Sequence, residues 1–226
     1  MIRNYKPFIL IIFSIAFAYV EASVVVYLRT MYGINNLITD LPTVIDKYTL
    51  IELGREASTI IMLASIGLIA GLKKQDKLGY FLLSFGIWDI FYYVWLFLFI
   101  GWPKSLFDWD ILFLIPFPWW GPVLAPVIFS IIFIITGCTL IYFAEKNKTI
   151  KLFTIDIFIL SLSILLSLFV FMYDAINALI NSHTSIANVK PSYFNWTLFI
   201  TSISAIIIIL LKTFFSNRSG ALKLKK

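Results

Sequence analysis

The sequence predicts an all-α integral membrane protein, a bundle of six transmembrane helices in one polytopic domain spanning 1–226, and three observations carry that reading. Hydrophobic residues make up 61% of the 226 and charged residues only 13%, with a mean hydropathy of +0.94, a balance far from that of soluble domains. Apolar runs near the length of about 20 residues that crosses a hydrocarbon core recur six times, at 8–28, 57–72, 78–101, 121–144, 150–173 and 196–215, the second of them within a helix expected over 50–72. If the six spans alternate in direction, 12 of the 18 Lys and Arg residues fall on one side, which by the positive-inside rule places the N- and C-termini in the cytoplasm. The expected location is the prokaryotic cell (inner) membrane.

The first span follows Arg3 and Lys6 and runs without interruption past Val20 to Ala22 into SVVVYL. That continuity favours a retained helix over a cleaved signal segment. The second begins before its apolar run, because Thr43 and Asp46 have the spacing of a helix start. The third carries Trp88, Trp95 and Trp102 at seven-residue intervals, nearly two helical turns, so they form one aromatic stripe that suits packing or lipid. Between the third and fourth spans, GWPKSLFDWDILFLIPFPWWGP is too short and too rich in proline to cross. It is expected to be an aromatic interfacial or re-entrant segment on the outer side, packed against protein. On the fifth span Asp156, Ser163, Ser167 and Asp174 fall along one stripe, most simply a seam for packing another helix. A polar outer loop containing His183 precedes the sixth span, and a basic tail follows it.

The word EASVVVYL at Glu21 has a near-copy, EASTIIML, at Glu56. With a rise of about 1.5 Å per residue, Glu21, Glu56 and Asp89 lie roughly 21, 24 and 17 Å above the cytoplasmic edge, on three consecutive helices. Each carboxylate costs about 2.5 to 3.5 kcal/mol if left alone in a helix centre, so all three must face inward and find partners. Arg29 and Arg55 are the basic candidates, with Tyr92 and Tyr93 beside Asp89, Glu52 one turn from Glu56, and Asp108, Asp110, Trp119 and Trp120 in the outer segment above. The three acids are candidates for catalysis or metal ligation, and the other nine residues for substrate binding.

Several chemistries are excluded or constrained by composition. One histidine and one cysteine, His183 and Cys138, leave no bis-histidine haem ligation and no histidine-rich zinc site within one chain. There is no nucleotide-binding glycine motif. A cofactor, if present, would be a divalent cation with oxygen ligands. The basic charge follows membrane topology rather than a nucleic-acid surface, so the expected partners are membrane lipid and, as further options, a second copy of the chain as a homodimer or a membrane complex. The favoured function is an outward-facing Glu/Asp/Arg site in the outer half of the bilayer that binds or processes an amphiphilic, lipid-like substrate or an oxygen-ligated cation. The alternatives are a structural or assembly subunit, and a proton- or cation-coupled transporter.

Overall fold

A computed structural model describes residues 5–34, 47–181 and 189–223. The helix start at Thr43 and Asp46, and His183 in the last loop, lie outside these described residues. Six helices are long and apolar enough to span a membrane: α1 (Lys6–Tyr32), α2 (Lys47–Ala70), α3 (Lys74–Ile100), α4 (Leu124–Glu145), α5 (Thr154–Asn181) and α6 (Trp196–Lys223). The chain is a polytopic membrane protein. Its flanks carry Phe8, Ile69, Ile135, Leu165 and Ile208 exposed, a surface that lipid solvates and that water would drive to aggregate.

The helices exceed the apolar runs at several ends, because backbone hydrogen bonding continues past the hydrocarbon for as long as the sequence supports it. Pro7 occupies the first turn of α1, where a missing N–H costs nothing, and Gly33 ends the helix at φ 65°, a left-handed conformation that glycine adopts without strain. Asp76 accepts from the backbone N–H groups of Leu72 and Lys73 at 3.0 and 2.6 Å, so α3 starts at Lys74, four residues before its apolar run. Two boundaries differ more. The fourth helix starts at Leu124 rather than at 121, because Gly121 and Pro122 belong to a strand. The fifth is shifted, running from Thr154 to Asn181 instead of from 150 to 173; Asp156 accepts from the N–H of Phe153 at 3.3 Å and sets its start.

The segment between α3 and α4 is a small antiparallel hairpin, β1 (Trp109–Ile111) and β2 (Trp120–Pro122), in register Asp110 to Gly121 and Ile111 to Trp120. Its arms are joined beyond the strands by Leu112 N–H to Trp119 carbonyl at 2.9 Å and by Trp119 N–H to Phe113 carbonyl at 2.8 Å.

Helix α3 is the central element, packed against α1, α2 and α4, while α5 pairs with α6 and touches β2. Its approach to α4 is set by missing side chains. A Cβ on Gly86 would stand 2.5 Å from the Ser130 carbonyl oxygen, and one on Gly137 would stand 2.6 Å from that of Gly79. Small residues let two membrane helices meet backbone to backbone, and here they bring Ser130 of α4 opposite Asp89 of α3. The Trp88, Trp95 and Trp102 stripe turns toward α1: Trp88 packs on Phe17, Trp95 donates to the Ile15 carbonyl at 3.1 Å, and Arg29 lies 4.0 Å over Trp102. The α5 seam is likewise filled by α6. Ser167 meets Ser202 at 2.6 Å, and the buried Asp156 pairs with Lys212 at 2.6 Å.

Candidate functional site

The C-terminal part of α1, the N-terminal half of α2, the C-terminal half of α3 and the hairpin enclose a cavity of about 380 Å³. Every predicted site residue except Asp108 and Trp119 lines it. The helices supply polar side chains to these walls because apolar residues on their other faces already fill the lipid boundary and the contacts with their neighbours.

Glu21 is 4% exposed and accepts from the Thr59 hydroxyl at 2.5 Å. It also forms an ion pair with Arg55. Arg55 is bidentate toward Glu52, one turn back on α2, with N–H to oxygen distances of 2.8 and 2.5 Å. One guanidinium therefore serves two carboxylates, joining α1 to α2. Glu56 faces the hairpin and accepts from the backbone N–H of Leu114 at 3.0 and 2.8 Å. Asp89 takes the Ser130 hydroxyl on Oδ2 at 2.7 Å.

Asp110 enters from β1 and is 3% exposed. The Tyr93 hydroxyl donates to it at 3.0 Å, and Arg29 stands 3.7 Å away. Burial pushes its carboxyl from the ordinary 3.8 up to about 6, against the opposing pull of the Arg29 guanidinium and the Tyr93 hydroxyl. Tyr92 stacks on Trp88, their rings 6.2 Å apart, forming an aromatic wall on α3. Trp120, 2% exposed, belongs to the hairpin side.

Two of the candidate residues, Asp108 and Trp119, stand outside the cavity lining. Asp108 is spent on its own turn, accepting from the backbone N–H groups of Lys104 and Ser105 at 2.7 and 3.3 Å, as short acidic side chains do in loops. Trp119 points the other way from Trp120, because neighbours along an extended chain face opposite sides. It stacks on Phe171 of α5 at 6.3 Å between ring centres. Sequence reasoning missed Thr59 and Ser130, which donate to Glu21 and Asp89, and Lys212, the partner of Asp156. An S/T count on each helix face would have raised the first two, but choosing them needs the helix register.

Glu21, Glu56 and Asp89 share the cavity while each turns to a different protein partner. Among the described residues, no group of three or more His, Cys, Asp and Glu is placed to hold one metal ion. The walls carry five carboxylates, Glu21, Glu52, Glu56, Asp89 and Asp110, against two guanidiniums, Arg29 and Arg55. No carboxylate of the cavity is paired with a lysine among the described residues. No family model, curated protein or solved structure matches this chain.

Proposed function

We propose that the chain is a membrane-embedded binding protein whose cavity takes an amphiphilic, lipid-like molecule, the head among the carboxylates and the tail along the aromatic and aliphatic walls. The observation that carries this reading is a cavity of about 380 Å³ whose lining is mostly apolar yet includes seven ionisable side chains of Asp, Glu and Arg. Ligand sites combine these features: apolar walls, a few convergent polar groups and a volume of about 300 to 1,000 Å³. The positive-inside pattern supports an opening on the outer face with both termini cytoplasmic, and the membrane of this reading is the prokaryotic cell membrane. Membrane lipid is then both the surroundings and the source of the ligand.

One observation favours the runner-up, a structural subunit. Glu21 and Glu56 are already hydrogen-bonded by protein groups, as in a lock between helices. The transporter reading has less support, since on the α5 stripe Ser163 is buried and Ser167 is spent on its own helix and on Ser202 of α6.

The test is a mass-spectrometric inventory of lipid extracted from the purified protein and from variants of matched thermal stability. Val25→Trp and Leu53→Trp fill the cavity from two walls, whereas Ile207→Ala alters an exposed position on α6. The expected result is one ligand near unit stoichiometry in the wild type and in Ile207→Ala, and its loss from both tryptophan variants. The same lipid profile in all four proteins would leave the structural reading in its place.

A further inference from the structure

The cavity walls hold donors and acceptors that the described residues leave unmatched. Trp88 and Trp120 are 6% and 2% exposed, and neither indole N–H has an acceptor among the described residues. Arg29 Nε is a third such donor. All three residues line the cavity. Buried polar groups are nearly always hydrogen-bonded, and one left unmade costs about 1 to 3 kcal/mol. Indole N–H donates only, so these walls call for an oxygen acceptor. On the same helix as Trp88, Asp89 takes Ser130 on Oδ2, and no hydrogen bond from a described residue reaches its other oxygen. That oxygen calls for a donor.

Charge narrows the choice. Five carboxylates stand against two guanidiniums, each of which already faces a carboxylate. A phosphate or carboxylate head would satisfy the indoles but would enter a region where acid is already in excess, and like charge in a poorly solvated site is strongly disfavoured. An ammonium would suit the charge and leave the indole donors without acceptors. A hydroxyl does both jobs, its oxygen accepting from N–H and its proton going to a carboxylate oxygen.

We infer that the amphiphile bound in this cavity carries an uncharged hydroxylated head, a glycerol- or alcohol-type group, recognised by the indole N–H groups of Trp88 and Trp120 together with Asp89. The inference rests on the amphiphile reading above and deepens it.

The experiment is a calorimetric titration of the full chain in phosphatidylcholine nanodiscs at neutral pH, corrected with empty nanodiscs. The probes are monolauroylglycerol, lauric acid and dodecylamine, which share a chain length and differ in the head. Saturable binding of the glyceride at least tenfold tighter than of either charged probe is the expected result. Equal or tighter binding of the acid or the amine overturns the head assignment while keeping the amphiphile reading. No saturable binding of any probe overturns both. Trp88→Phe and Trp120→Phe each remove one donor and should weaken the glyceride about three- to tenfold, the worth of one hydrogen bond. Unchanged glyceride affinity in both variants overturns the assignment of these donors. The probe comparison on the wild-type chain decides the head chemistry even if a variant fails to fold.

Discussion

Replacing Arg55 with Leu removes the one cation shared by Glu21 and Glu52, and the structure sets how much that should cost. Glu21 keeps only the Thr59 hydroxyl, at 4% exposure. Glu52 loses both of its N–H donors, at 2.8 and 2.5 Å. Removing one partner of a buried pair costs about 3 to 5 kcal/mol, because the other charge is left uncompensated. The side chains of Arg55 and Glu52 are 22% and 17% exposed, so water relieves part of the loss and the lower end, about 3 kcal/mol, is expected. The loss should be partly conditional on the charge of Glu21, the more buried of the two acids. In Arg55→Leu with Glu21→Gln, one of the two stranded charges is gone while an amide oxygen still accepts from Thr59. The double variant should therefore regain about 1 kcal/mol or more over the sum of the two single effects. Unfolding in mixed micelles with increasing dodecyl sulfate measures all three proteins. Additivity within about 0.5 kcal/mol would refute the reasoning, because independent sites add and coupled ones do not.

Two further outcomes follow from close contacts and from burial. Gly86→Ala should destabilise by about 1 to 3 kcal/mol, since its new Cβ would lie 2.5 Å from the Ser130 carbonyl oxygen, whereas Gly54→Ala, with nothing within 4 Å of its Cβ, should be neutral or stabilising by up to about 1 kcal/mol; the same micelle unfolding measures both. Asp110 holds its proton in the folded chain up to about pH 6 and releases it near 3.8 when unfolded. Its contribution to stability is thus fully present below about pH 4 and lost as pH rises through about 6, a change of about 2 to 3 kcal/mol; Asp110→Asn should flatten that part of the stability profile, and an unchanged slope would refute it.

The six spans were legible because lipid leaves a backbone only the helix or the closed barrel, and long unbroken apolar runs announce the helix. Their ends were less legible. Asp76 and Asp156 start α3 and α5 through backbone hydrogen bonds that hydropathy does not register, and the polar turns at the end of α5 continue the helix without an apolar signal. Much of the cavity lining was visible as well, since an acid in a membrane span must face protein. Counting the helical rise brought Glu21, Glu56 and Asp89 to one level without showing which way each turns. That direction is set by register between helices, and register depends on contacts such as Gly86 against Ser130. The hairpin was hidden for another reason. Its Trp and Pro residues suit an interfacial segment of any backbone shape, and only strand pairing separates Trp120 from Trp119 and Asp110 from Asp108.

The polar groups of the cavity have two duties, and the geometry separates them. Glu56 holds the hairpin through the N–H of Leu114, and Asp110, itself on the hairpin, reaches back to Tyr93 and Arg29. These two carboxylates fix the wall as well as lining it. Neutralising either one moves the surface that would meet a ligand, so a change in binding there combines chemistry with displacement. Asp89 is different. Its partner is Ser130 on α4, and α3 and α4 are held together by glycine contacts that do not depend on charge. Asp89→Asn keeps an oxygen for Ser130 and leaves the hairpin where it was. A binding change at Asp89 therefore reports what its carboxylate does inside the cavity, whereas the same change at Glu56 first reports whether the hairpin still closes it.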